Sequence, residues 1–143
     1  MVPTHFLHVS MNCRDPVAVE RFYTKHFGFT RGRVVQLGDD QVVFTKSGNV
    51  YLEIFRATEE APMPLPKKDG YGWPGWKHIA FMVDDVDAKL AELGDDARIM
   101  LGPMNFDDFI PGWRSVWVAD PEGNIIEISQ GYKDQDNPPA LPV

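Results

Sequence analysis

The sequence predicts an α+β fold built from two βαβββ modules within a single domain, residues 1–143. Three observations predict it. The stretch from Phe6 to Tyr23 recurs loosely about seventy residues later, the mark of an internal repeat. Each copy opens on a short alternating run, turns at an aspartate into helical spacing, and continues into three more strand-like runs. Between the copies lies a segment punctuated by Pro62, Pro64, Pro66 and Pro74, which suits a linker and no regular element.

The elements follow in order. Residues 4–13 alternate, with Phe6, His8, Ser10 and Asn12 on one face and Leu7, Val9 and Met11 on the other. Asp15-Pro16 reads as an N-cap and first helical position, because the carboxylate takes an orphan N–H and proline presets the backbone. The helix runs to about Phe27, with Val19, Phe22 and Tyr23 at helical spacing and Gly28 as terminator. Strands are expected over 32–37, 41–46 and 49–56, separated by Gly38-Asp39-Asp40 and Ser47-Gly48. This completes module one, about 4–56, and the linker is 57–76. Module two, about 77–131, repeats the order: a strand over 77–83, a helix from Asp85 to Leu93 stopped by Gly94, and strands over 97–101, 114–119 and 124–130. The tail, 132–143, has three prolines and little apolar content, so it is expected to lie extended on the surface or to be disordered.

Composition removes several function classes. The chain is 43 % hydrophobic and 24 % charged, as globular domains are. Its net charge of −7 disfavours nucleic acid and anionic membrane as partners. A lone cysteine, Cys13, forbids an internal disulfide and suits a reducing compartment. The opening Met-Val-Pro-Thr-His-Phe has neither a basic region nor a long apolar run. No secretory signal is expected from it, and a cytoplasmic location follows.

The chemistry lies in what the two copies share. His8 is followed seven residues on by Asp15, and His78 seven residues on by Asp85. Glu53 comes 45 residues after His8, and Glu127 comes 49 after His78. Both glutamates sit between aliphatic residues, Leu52 and Ile54 in one copy and Ile126 and Ile128 in the other. On a strand those aliphatics pack to one face while the glutamates point to the other. A half-buried carboxylate costs several kcal/mol, roughly, unless a cation compensates it. One such histidine or glutamate is ordinarily a hydrogen-bonded or solvated strand residue. Four at equivalent places in a repeat point to one divalent metal held by His8, Glu53, His78 and Glu127. Imidazole and carboxylate donors without thiolate suit Ni, Co, Zn, Mn or Fe. His5 falls on the opposite face from His8 and Cys13 has no partner thiol, so both are read as structural. The segment Asp120-Pro121-Glu122-Gly123-Asn124 is read as a turn that sets the register of Glu127.

Together with Phe22-Tyr23-Thr24-Lys25 before Phe27-Gly28-Phe29, these motifs make the chain resemble the vicinal oxygen chelate superfamily over about residues 5 to 131. That superfamily includes glyoxalase I, methylmalonyl-CoA epimerase, extradiol dioxygenases, and fosfomycin and bleomycin resistance proteins. The resemblance implies an open, cup-shaped mixed-sheet barrel of two βαβββ modules with a metal in the cup. It implies a small-molecule substrate and a homodimer, in which exposed sheet edges become covered. All four ligand positions being filled is similar to glyoxalase I. The implied reaction is that of a lyase or isomerase: a proton moves next to a carbonyl while the metal stabilises an enolate or enediolate. Glu127, and less readily Glu53, is the expected base. Phe6, Asn12, Tyr51, Phe55, Met82, Trp113 and Trp117 are expected around the substrate.

Two rivals stay open: a non-haem Fe(II) dioxygenase using His8, His78 and Glu127, and a resistance or binding protein without turnover. One departure bears on the substrate. Bacterial glyoxalase I has an arginine four residues after its first ligand histidine, for the glutathione moiety, and here that residue is Asn12. Residues 57–76 and 102–112 also do not resemble the glutathione-site segments.

Overall fold

A computed structural model describes residues 1–142. The chain divides into two compact units, Met1–Pro66 with Asp120–Asn124, and Lys67–Ala119 with Ile125 onward. Unit one holds β1 (His8–Cys13), α1 (Pro16–Phe27), β2 (Thr30–Leu37), β3 (Asp40–Ser47) and β4 (Val50–Arg56). Unit two holds β5 (Ile79–Met82), α2 (Val86–Leu93), a 3₁₀ turn (Gly94–Asp96), β6 (Arg98–Asn105), β7 (Arg114–Ala119) and β8 (Ile125–Gln130). The sheet orders are β1-β4-β3-β2 and β5-β8-β7-β6, the same arrangement twice. In each, the first strand runs parallel to the last and the other pairs are antiparallel. The predicted α+β class and βαβββ order are therefore observed, as two four-stranded mixed sheets.

The caps behave as their chemistry requires. The Asp15 carboxylate accepts the Ala18 N–H at 3.0 Å, and Asp85 does the same for Ala88 at 3.0 Å. Gly28 ends α1 at φ +69°, a left-handed conformation that costs other residues free energy. The core of unit one lies between α1 and its sheet: Val19, Phe22 and Tyr23 are buried with Cys13, Leu52 and Ile54. Each such large apolar side chain contributes about 1.5–3 kcal/mol by leaving water. In unit two Val86 and Leu93 are buried with Val116, Val118, Ile126 and Ile128. Burial pushes the Cys13 thiol up to about 12, and the charges of Glu122, Asp120 and Asp15 add to the effect. The reactive thiolate is thus scarce at neutral pH. Native protein should resist alkylation by iodoacetamide at pH 8 and label fully in denaturant; rapid labelling of the native chain would contradict this burial.

Several boundaries differ from the sequence reading, each for a local reason. The first strand starts at His8, not at residue 4; upstream only the Leu7 carbonyl joins the ladder, accepting the Tyr51 N–H at 3.0 Å. β2 begins two residues early because Gly32 is not its start but an irregularity, where register shifts between Arg31 and Arg33. A Cβ on Gly32 would come within 2.9 Å of the Tyr51 ring, so the strand needs glycine there. β5 is shorter than residues 77–83, and His78 stands just before it. β6 runs on to Asn105, through Gly102-Pro103, where a loop was expected from 102. It is the edge strand, and an edge tolerates a residue without an N–H. The tail has no helix or strand up to residue 142 and is mostly exposed. Among the described residues no helix is long and apolar enough to cross a membrane.

The turn 120–124 does more than the sequence reading assigned to it. Asp120 is fully buried within unit one. Its Oδ1 accepts the N–H groups of Glu122 and Asn124 at 2.8 and 3.0 Å. Its Oδ2 accepts the Tyr23 hydroxyl at 2.8 Å and the Asn124 amide at 2.9 Å. Glu122 in turn accepts the Asp15 N–H at 2.7 Å and Arg14 Nε at 3.2 Å. Burial, then the Asp120 charge and its hydrogen bond, hold the Tyr23 hydroxyl well above its ordinary pKa.

Candidate functional site

In each unit the sheet brings one histidine to one glutamate. The parallel register of β1 and β4 pairs His8 with Tyr51, Ser10 with Glu53 and Asn12 with Phe55, which puts all six on one face. His8 Nε2 lies 3.2 Å from Glu53 Oε1, and the Ser10 hydroxyl donates to the same oxygen at 2.6 Å. In unit two Ala80 pairs with Glu127, and His78, two residues earlier, reaches the same face. His78 Nε2 lies 3.0 Å from Glu127 Oε1. All four side chains are partly shielded from water. An aromatic residue stands across the sheet from each glutamate, Phe44 opposite Glu53 and Trp117 opposite Glu127. Each meets its histidine edge to face, with ring centroids 5.8 and 6.3 Å apart. The sequence reading missed Phe44, although it stands nine residues before Glu53 much as Trp117 stands ten before Glu127.

The tautomer of His78 is set by the backbone. Its Nδ1 is 2.6 Å from the Asp69 carbonyl, which only accepts, so Nδ1 carries a proton. In the neutral ring Nε2 then presents a lone pair to a carboxylate oxygen, an arrangement that needs a positive charge between them. A proton on Nε2 or a metal ion supplies it. Gly70 makes this possible: at φ +125°, a Cβ there would lie 2.2 Å from the Lys77 carbonyl oxygen. His8 differs, since its Nδ1 is buried without a partner.

The donors fit a divalent ion. Two ligands about 2.1 Å from one ion at right angles lie roughly 3.0 Å apart, which is the spacing within each pair. Among the described residues, however, no three histidine, cysteine or acidic side chains form a group able to hold a metal. The four predicted ligands thus stand as two pairs, one in each unit.

The predicted pocket residues also divide. Met82 and Trp113 line a cleft of about 270 Å³ in unit two together with Phe81, Tyr132, Ser129 and Glu127. Glu127 is the only carboxylate lining this largely apolar cleft. Trp117 is buried beneath, with its indole nitrogen unpaired. Tyr51, Phe55 and Asn12 surround Glu53 in unit one, whereas Phe6 is 65 % exposed ahead of β1. A second cleft of about 630 Å³ in unit two shares Trp113 and Tyr132 and extends to Asp108 and Asp134. Tyr132 was missed because its place depends on where the tail returns: Gly131 packs against Gly112 so closely that a Cβ there would collide with the Gly112 carbonyl. Phe81, on β5, was missed because only the pairing of β5 with β8 brings it beside this cleft.

Comparison with known proteins shows the family and the fold. Residues 5–128 match the family model described as the Glyoxalase/Bleomycin resistance protein/Dioxygenase superfamily. Among solved structures the chain is similar to SMU.1112c, at 26 % identity and a TM-score of 0.64, over 90 % of this chain and 99 % of that one. It is similar to a lactoylglutathione lyase from Agrobacterium tumefaciens, at 26 % identity and a TM-score of 0.60, over 92 % and 96 % of the two chains. TnmS3, an antibiotic binding protein from Streptomyces sp. CB03234, shares the fold at 22 % identity and a TM-score of 0.63, over 92 % and 99 %. A comparison with curated protein sequences gave no match.

Proposed function

Because the chain belongs to the glyoxalase/bleomycin resistance protein/dioxygenase superfamily, we propose that it is a metal-dependent lyase or isomerase of the glyoxalase type acting on a small molecule. The observation that carries this reading is Glu127: a carboxylate facing an apolar cleft, 3.0 Å from a histidine whose tautomer the backbone fixes. His8, Glu53, His78 and Glu127 would hold the ion, and such a donor set would suit Ni, Co, Zn, Mn or Fe. The bound ion supplies Lewis-acid stabilisation of negative charge on a substrate oxygen. The residues do the rest. Met82, Trp113 and Tyr132, which line the cleft with Glu127, would shield the reacting C–H bond from water. Glu127 takes the proton next to the carbonyl and returns it, with Glu53 as the lesser candidate. Asn12 stands exposed on β1 where a glutathione-binding arginine is expected in bacterial glyoxalase I, which favours a substrate other than a glutathione adduct.

Purified without chelators, the protein is expected to carry one divalent ion per site, whether a site lies within one chain or is shared by two, and to sediment as a dimer of the 16.2 kDa chain. His8→Ala and His78→Ala should each lose most of the metal, while His5→Ala keeps it. Wild-type metal content in both of the first two variants would overturn the ligand assignment. A monomer mass at micromolar concentration would overturn the dimer. Oxygen uptake with a catechol would favour the dioxygenase reading, and tight antibiotic binding by metal-free protein would favour the binding-protein reading.

A further inference from the structure

Glu127 is gripped at both oxygens, and the second grip belongs to Ser115, which no reading of the sequence singled out. The Ser115 hydroxyl lies 3.1 Å from Glu127 Oε2. The Ser115 and Ser129 hydroxyls lie 2.9 Å apart, and the Trp113 indole N–H donates to Ser129 Oγ at 3.0 Å. With Glu127 as a carboxylate, the form its proposed role as ligand and base requires, each link has one direction. An indole N–H only donates, an ionised carboxylate only accepts, and each serine has one proton. Ser115 therefore donates to Glu127, Ser129 donates to Ser115, and Trp113 donates to Ser129. Both serines are buried, so little water competes for these bonds. The chain ends on a group that cannot accept a proton. It is thus no relay to solvent; it acts as a strut that keeps a donor on Oε2 and leaves Oε1 toward His78.

Module one lacks this device. Ser10 donates to Glu53 Oε1, the oxygen that already faces His8. The matching place on β5 is Ala80, which has no hydroxyl. Two residues beyond Glu53 stands Phe55, where Ser129 stands two residues beyond Glu127. The two glutamates are therefore equivalent in the repeat but differ in restraint.

We propose that Ser115, backed by Ser129 and Trp113, is a positioning residue that fixes which oxygen of Glu127 is offered to the metal and the substrate. The inference rests on the reading of Glu127 as ligand and base, so its test has one arm that needs neither metal nor substrate. In metal-free protein, Ser115→Ala should shift the Trp113 indole N–H resonance and quicken its solvent exchange at least tenfold, and Ser115→Thr should largely restore both. In the second arm, competition with a chromophoric chelator reads zinc affinity. Ser115→Ala should weaken it by about 10–100-fold, the scale for partners that orient a ligand. Ser115→Thr should return it to near the wild-type value, a rescue that a loss of packing would not give. If Ser115→Ala fails to fold, Trp113→Phe frees the far end of the strut and should weaken zinc binding several-fold. An unmoved indole signal together with unchanged zinc affinity would overturn the proposal. If the wild-type protein binds no zinc, the metal reading fails instead, and the indole signal alone decides the strut: moved in Ser115→Ala it stands, unmoved it falls.

Discussion

Glu127→Gln should lower turnover by about 10²-fold or more while most of the metal stays bound. That loss is the usual scale for removing a general base. Three of the four proposed ligands would remain, which is enough to retain an ion at reduced affinity. Glutamine keeps the shape of the side chain and can still accept from Ser115, so the cleft should not collapse. It cannot take a proton near neutral pH. Until a substrate is known, solvent hydrogen exchange into a bound analogue serves as the assay, with 2-oxoaldehyde thiol adducts and acyl-CoA epimers as first candidates. Glu53→Gln is the comparison. If Glu53→Gln abolishes exchange and Glu127→Gln does not, the two roles are reversed. Glu127, unlike Glu53, lines the apolar cleft of unit two, which is the ground for giving it the proposed role of base.

Asp120→Ala should cost about 3–5 kcal/mol of stability, with no change in any residue that faces the cleft. Removing the carboxylate relieves its own desolvation but takes away the acceptor that the Tyr23 hydroxyl, the Glu122 and Asn124 N–H groups and the Asn124 amide share. One of them, the Tyr23 hydroxyl, belongs to a fully buried residue. An orphaned buried donor costs about 1–3 kcal/mol, and bonds to a charged acceptor are worth about 1.5–3 kcal/mol each. Part of that sum returns as the turn relaxes toward water, which sets the estimate below simple addition. Tyr23→Phe removes one donor and leaves Asp120 those of Glu122 and Asn124, so it should cost only about 1 kcal/mol. Urea unfolding of both variants measures the difference. Equal, small losses would mean that the carboxylate is not what holds the turn.

Much of the fold could be read from local chemistry. Aspartate caps, a terminating glycine and alternating runs are signals confined to a few residues, and all of them recur in the structure. Features that depend on distant partners could not be read that way. Gly102-Pro103 looked like a break because nothing nearby says that its strand lies at a sheet edge. Asp120 looked like an ordinary turn residue because its partner Tyr23 is 97 positions away. The same division holds at the site. The repeat exposed His8, Glu53, His78 and Glu127, since a duplicated pattern is visible without knowing the fold. Ser115 acquires meaning only through the β7–β8 register that sets it opposite Ser129, and register is a property of the assembled sheet.

The turn 120–124 also decides how the chain can be rearranged by engineering. It is counted with the first unit, while the strands that flank it, β7 and β8, belong to the second. A gene cut once in the linker would therefore separate Tyr23 from its acid and leave each product with an unsealed end. Two-fragment complementation at residue 66 should demand co-expression and not mixing of prefolded halves. A short insertion after Pro121 should be poorly tolerated, whereas the same insertion at Gly48, in a two-residue hairpin tip where an added Cβ would meet nothing within 4 Å, should leave the fold nearly as in the parent.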